Sequence, residues 1–350
     1  MGYSIQLADL KRDQPEVLTI FRGSDLHIQE DRYAWLYDQS PLGPASCWLA
    51  LHDGTAVGTC SLLPRRFLIN GKICRAGVAC NFGVTKEHRV LGPALMLQKA
   101  TLAACDRRDF DLVYGFPNQA AQPVQLRAGY RLLGEATMFV KVLKSHSFLR
   151  KRLQGTNHRL VSALSRGVDT LQRYVSRERW YRRSADWKFE GLSRFDDRFD
   201  LLWKEAGQHY TAIAERTSAY LNWRFVSSPH RRFTIFALSN RKTDQVLGYI
   251  VSYEEKEEEG KVRIADVFTM GMAELDAVLS EFLLVQRRAG TPSVAFLFLG
   301  RSAVMEEFRR LGFVPRACQA KMLYYANTDC LPLLPAEQEK WYIVEGDSDF

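Results

Sequence analysis

The sequence predicts an α/β protein, an α+β mixed sheet built twice over in tandem, and three observations predict it. Apolar runs of strand length alternate with longer stretches of helical spacing, which argues for layered strands and helices. The chain has 350 residues, 46% of them hydrophobic, too many for one comfortable core and enough for two domains. Short motifs also recur in the same order in its two halves, as a duplication would leave them. The expected division is residues 1–145, a helical connector at 146–183, and 184–350.

The repeat opens with "WLYDQSP" at 35–41 and "WRFVSSP" at 223–229, each closing a helical stretch. Each is followed by a strand, a polar turn and a second strand with a glycine near its start, Gly58 and Gly248. A longer helix, a buried strand and a short helix come next. The repeat closes on "LRAGYRLLG" at 126–134 and "RRLGFVPR" at 309–316, which place Gly129-Tyr130 over Gly312-Phe313.

Between the halves, Leu149, Leu153, Leu160, Leu164, Val168, Leu171 and Val175 recur at helical spacing with Arg and Lys among them. From Lys144 to Glu190 there are 12 Lys/Arg and 4 Asp/Glu; the remainder of the chain is balanced at 36 of each, so the net charge of +8 belongs to this segment. The expected reading is a connector with one face on the core and a solvated basic face. Peripheral contact with an anionic membrane or with nucleic acid is the alternative.

No stretch approaches the roughly 18–20 consecutive apolar residues of a membrane span. The start "MGYSIQLADLKRD" lacks the basic-then-apolar pattern of a signal peptide, and its likeness to a myristoylation start is weak. Seven irregularly spaced cysteines, several in strand-like runs, fit reduced and buried thiols. The expected location is cytoplasmic, with the inner membrane face as a peripheral option. No CxxC or HxxxH pair occurs, and no metal is expected.

Chemistry concentrates in "HRVLGPAL" at 88–95, between the strand-like "ICRAGVACNFGV" (73–84) and the helical "GPALMLQKATLAAC" (92–105). A helix start presents unpaired N–H groups and a positive dipole end, the natural partner of a pyrophosphate. Gly92 permits close approach, Pro93 suits a first helical position, and Arg89 adds a fixed charge. His88 reads as packing beside this turn.

Arg89-Val90-Leu91-Gly92-Pro93-Ala94 resembles the R/Q-x-x-G-x-G/A signature of the GNAT acyltransferase superfamily, and stands in the required strand-to-helix context. "YGFPNQAAQPVQLRAGYRLLG" is similar to that family's second motif through Asn118, Ala121, Arg127, Gly129 and Tyr130. The duplication then looks like a tandem GNAT protein. The resemblance implies that acetyl-CoA or another acyl-CoA binds through Phe82, Gly83, Val84, Arg89, Val90, Leu91, Gly92, Ala94 and Asn118. It also implies direct transfer to an amine, with backbone N–H groups of the segment Asn81, Phe82 and Gly83 meeting the thioester carbonyl. The second half has only "GMA" between strand and helix, so one acyl-CoA site is expected, in the first half.

The proton-transfer residues are less defined. Where many family members carry a tyrosine, this chain has Gln125, which cannot protonate a thiolate. Candidates are His27, Glu30, Asn81 and Tyr114, with Asp25 and Asp31 beside the first two. Trp35, Tyr37, Trp223 and Phe225 are candidate pocket aromatics with core as the competing reading, and the acidic "VEGDSDF" is expected to be solvated or to approach a cationic acceptor. The leading function is N-acyl transfer from acyl-CoA to a small amine such as an amino sugar or amino acid. The alternatives are an aminoacyl-tRNA-dependent peptide-bond former and a non-catalytic acyl-CoA binder.

Overall fold

The computed structural model describes residues 2–24, 26, 28–146, 153, 158–255 and 260–348, and its 16 strands join in one continuous sheet. The first half runs β1 (Tyr3–Leu7), α1 (Gln14–Gly23), α2 (Glu30–Tyr37), β2 (Ser46–His52), β3 (Thr55–Ile69), β4 (Lys72–Val84), α3 (Leu91–Asp106), β5 (Leu112–Gly115), α4 (Ala121–Ala128), β6 (Arg131–Glu135) and β7 (Thr137–Val142). Helix α5 (His158–Val175) comes next. The second half runs β8 (Trp187–Leu192), α6 (Asp197–Ala206), β9 (Ala212–Ala214), β10 (Thr234–Asn240), β11 (Val246–Glu254), β12 (Lys261–Thr269), α7 (Met272–Ala289), β13 (Ser293–Gly300), α8 (Ser302–Arg310), β14 (Val314–Arg316), β15 (Lys321–Ala326) and β16 (Trp341–Val344).

The order β2-β3-β4-α3-β5-α4-β6-β7 is matched by β10-β11-β12-α7-β13-α8-β14-β15, and the repeated motifs occupy matching places. Gly129 directly follows α4 and Gly312 comes two residues after the end of α8, with φ of 125° and 82°, a backbone that side chains strain to adopt. The aromatics behind them, Tyr130 and Phe313, then turn into the core. Gly58 and Gly248 each face the last residue of the neighbouring strand, Val84 and Thr269. A Cβ on Gly248 would stand 2.5 Å from the Thr269 methyl carbon.

The halves exchange strands. β5 pairs antiparallel with β15 from the second half, while β13 pairs antiparallel with β7 from the first. The sheets therefore do not coincide with contiguous stretches of sequence. One large core spans both halves, and a smaller one lies between α3 and the sheet.

The tryptophans of the repeated motif meet at the join. Trp35 Nε1–H donates to the Trp223 carbonyl at 2.8 Å, and Trp223 Nε1–H to the Trp35 carbonyl at 3.0 Å, with ring centroids 5.0 Å apart. Both are buried, as are Tyr37 and Phe225, so these aromatics are core.

Two expectations are corrected. The described part of the acidic end is not solvated: Glu345 and Asp347 are buried against cations from both halves, and residues 349 and 350 lie outside the described residues. Helix α5 also turns the other way from the connector expected. Ser165, on its inner side, is buried, and Asp169 accepts from Ser145 N–H at 2.6 Å, whereas Leu164, Val168 and Val175 are exposed. Leu149 lies outside the described residues, as do the side chains of Leu160 and Leu171.

Candidate active site

β4 carries a bulge next to the helix start. Gly83 pairs with Thr59 and Cys80 with Ser61, so Asn81 and Phe82 together oppose Cys60. A bulge takes its extra residue out of the ladder and re-aims the strand. Asn81 accommodates it at φ 50°, a left-handed backbone that asparagine tolerates better than most residues. Its Nδ2 donates to the Tyr37 hydroxyl at 2.9 Å, which lies 2.7 Å from Ser61 Oγ. Burial pushes the Tyr37 phenol well above its usual range, so Tyr37 is a neutral prop for Asn81.

Beside the bulge the sheet forks. β4 and β5 pair in parallel only over Ala76–Val78 and Leu112–Tyr114. They touch once more at Gly115, where a Cβ would stand 3.0 Å from the Ala79 carbonyl oxygen. Beyond this β5 ends while β4 runs on to Val84, leaving the opening at carboxyl strand ends where open α/β sheets bind ligands.

The fork leads to the start of α3. The helix begins at Leu91, so Pro93 stands third and not first, and no side chain caps it. The amides of Leu91 and Gly92 fall among the donors that a helix start leaves without intrahelical partners, while Pro93 supplies none. Val90 and Leu91 are exposed. A Cβ on Gly92 would meet nothing within 4 Å, so the space over the amides is open to an anion. The exposed Arg89 stands at this turn with its Nε donating to the Val84 carbonyl at 3.2 Å. His88 packs behind it, its Nδ1 2.9 Å from the Tyr3 hydroxyl and its ring near His52. The residues present fit the diphosphate of an acyl-CoA.

The remaining candidates fall in several places. Phe82 and Ala94 pack against the core under α3, flanking the opening. Gly83 is covered, since a Cβ there would stand 2.5 Å from Ser24 Oγ and 3.0 Å from Leu26 Cδ1. Asp25 and His27 lie outside the described residues. Glu30 is exposed in the first turn of α2. Asn118 Oδ1 accepts from the Ala120 and Ala121 amides at 3.1 and 2.9 Å, ordering the turn into α4. Tyr114 is buried, pushed well above the usual phenol range by desolvation, and donates to the Asp347 carbonyl at 2.7 Å. Its proton is committed there, so it is not the donor to a departing thiolate. Gln125 is buried on α4.

The second half contains the same fork, closed. β12 and β13 pair over Lys261–Ile264 and Ser293–Phe296, and then β16 enters between them and pairs with Phe298–Gly300. The Tyr342 hydroxyl donates to the Val267 carbonyl. Gly300, at φ 143°, permits the approach: a Cβ there would overlap the Trp341 carbonyl. What remains beside α7 is a cavity of 220 Å³ lined by Tyr342, Met272 and Arg301 among others. Ligand pockets span about 300–1,000 Å³, so this one is small for any nucleotide.

Sequence reasoning missed the groups that hold the plug. Asp347 accepts from Arg65 at 2.8 Å and Arg216 at 2.9 Å, and Arg216 also pairs with Asp266 at 3.2 Å, all four buried. Burial pushes the Asp347 carboxyl up, but Arg216 and Arg65 outweigh it and hold it below the usual carboxylate range. The glycines and the "GMA" turn were signals for the closed fork; nothing local marked Asp347.

Residues 11–133 match the acetyltransferase (GNAT) domain family. No curated protein matches the chain in sequence. Among solved structures, a probable N-acyltransferase from Enterococcus faecalis is similar over 93% of this chain and 72% of its own, with 12% identity and a TM-score of 0.67. A GCN5-related N-acetyltransferase from Anabaena variabilis stands at 14% identity and 0.65, over 93% and 73%. The N-myristoyltransferase of Saccharomyces cerevisiae with bound myristoyl-CoA is similar at 10% identity and 0.54, over 93% and 78%. A GNAT-like fold thus extends over most of the chain, while the sequence match to the family stays in its first third.

Proposed function

We propose that the protein is an acyl-CoA-dependent N-acyltransferase of the GNAT type, made of two tandem units with a single acyl-CoA site in the first. The observation that carries this reading is the open fork of β4 and β5, with a bulge on one side and an uncapped helix start at its end. The diphosphate would rest on the Leu91 and Gly92 amides beside Arg89. The thioester carbonyl would face the backbone groups released at Asn81 and Phe82. The acceptor nitrogen attacks that carbonyl, forming the N–C bond while the oxyanion takes up the released backbone donors. Collapse breaks the C–S bond and expels the CoA thiolate, and the amine's proton passes to a base or through water to solvent. His27 is our candidate base, because its sequence neighbour Leu26 lies against Gly83, next to the bulge, and imidazole titrates near neutrality. Acetyl-CoA is the expected donor and a small amine, such as an amino sugar or amino acid, the expected acceptor.

A non-catalytic acyl-CoA binder is the second reading, favoured by Gln125 and Asn81 standing where titratable groups would serve. Calorimetry with acetyl-CoA and palmitoyl-CoA, comparing the wild type with Arg89→Glu/Gly92→Glu, tests the site. Loss of binding in the variant supports the cradle, and failure of the wild type to bind either thioester removes both readings. Thiol release with an amine panel then separates enzyme from binder, and His27→Gln should slow release while leaving affinity unchanged.

A further inference from the structure

Helix α5 is amphipathic the wrong way round for a connector. Among its described residues the inner side is polar, through Ser165 and Asp169. Leu164, Val168 and Val175, four and seven residues apart, form one line along the helix and are 53%, 36% and 73% exposed. The single turn after it, Arg177–Trp180, is fixed to the body by Glu178, which is buried and accepts from Lys141 at 2.8 Å and Arg287 at 2.9 Å. Trp180 nevertheless projects outward at 68% exposure, its indole N–H donating to the Tyr174 carbonyl at 2.9 Å. A turn clamped by buried ions presents an aromatic to solvent because the clamp, not burial of the ring, sets its direction.

Charge decides what this face fits. It lies in the segment with 12 Lys/Arg against 4 Asp/Glu, and Arg179 and Arg182 are exposed on either side of Trp180. A second copy would bring arginine-rich flanks together. Nucleic acid could meet Trp180 and the arginines but offers no apolar partner to the line of Leu164, Val168 and Val175. An anionic bilayer satisfies both parts at once: aliphatic and indole groups enter the headgroup boundary while guanidiniums meet lipid phosphates. Among the described residues no helix is long and apolar enough to cross a membrane, so the contact is peripheral.

We propose that the outward face of α5 and Trp180 docks the protein on an anionic membrane surface. The inference is independent of the acyl-transfer reading. It is tested by co-sedimenting the full chain with phosphatidylcholine vesicles and with vesicles also containing phosphatidylglycerol. Partitioning should be at least about tenfold stronger on the anionic vesicles and weaken with added salt. Leu164→Ser/Val168→Ser/Val175→Ser should lose about tenfold while keeping the wild-type thermal midpoint, because these side chains are already exposed. Arg179→Glu/Arg182→Glu provides a second variant acting on charge alone. The proposal is overturned if the wild type ignores anionic vesicles, or if both variants bind them as it does. It is equally overturned if the serine variant converts a dimer to a monomer in ultracentrifugation without changing vesicle binding, which would assign the face to self-association.

Discussion

The two forks of the sheet have the same strands, the same crossover helix and the same flanking glycines, yet one is open and the other is filled by the chain itself. The difference lies just past the parallel strands. In the first half β4 bulges at Asn81 and the turn to α3 carries Arg89 and Gly92. In the second, β12 turns directly into α7, and β16 occupies the gap with its backbone hydrogen-bonded to β13. The second fork is thus an internal joint that ties the halves together, while the first stays open.

The largest expected effect comes from loosening that joint. Asp347→Ala leaves Arg65 and Arg216 buried without their carboxylate, and breaking a buried pair costs about 3–5 kcal/mol. Denaturant unfolding should show that loss. Because the Asp347 carboxyl is held below its unfolded value of about 3.9, its contribution is fully present above that pH. It is lost as pH falls through the lower, folded value, so the gap between wild type and variant should narrow in acid. A gap constant with pH would show that Asp347 stabilises by packing and not by charge.

Next is the contrast between the helix starts. Arg89→Glu/Gly92→Glu should weaken acyl-CoA binding about 100-fold or more, equivalent to about 2.7 kcal/mol. Met272→Glu, at the start of α7, should change affinity by less than about twofold, since an acid there complements the dipole and meets no ligand. Titration of the wild type should reach one equivalent of acyl-CoA. Two equivalents, or sensitivity to Met272→Glu, would mean that β16 leaves the fork.

How much of this the sequence revealed depended on range. Gly129 and Gly312 were legible because a positive φ after a helix is a local demand met by one residue type. "HRVLGPAL" was legible for the same reason, as strand, turn and helix start are contiguous. The exchange of β7 and β15 was not, because either pairing buries the same apolar residues. The burial of Asp347 depended on Arg65, 282 residues away, and Arg216, 131 away. The spacing from Leu160 to Val175 is that of α5, while Leu153 stands before the helix in a bend, and spacing alone does not say which side meets the body.

The bulge offers a sharper and smaller test. Asn81→Gly should keep the left-handed backbone and most of the turnover, while Asn81→Val, strained at φ 50°, should lower kcat about tenfold with little change in acyl-CoA affinity. Equal rates for the two would mean that the bulge takes no part in the reaction. Tyr37→Phe removes the hydroxyl under Asn81 and should cost about 1 kcal/mol of stability.

The smallest effect addresses the symmetry itself. Trp35→Phe and Trp223→Phe each remove one indole donor and leave the opposite main-chain carbonyl without that partner. Each should cost about 1 kcal/mol, and the two losses should be nearly equal if the join is symmetric in energy as in geometry. The rings also stack, so the double variant should depart from additivity by about 0.5 kcal/mol or more. Unequal single losses would place the asymmetry of the molecule at the join and not only at the forks. Arg224, whose guanidinium carbon lies 5.7 Å from the Trp35 ring centre and whose side chain donates to the Gly346 and Ser348 carbonyls, is the side chain to vary next in that case. It links the Trp35 side of the join to the segment after β16, so its removal would weaken one tryptophan and loosen the plug together.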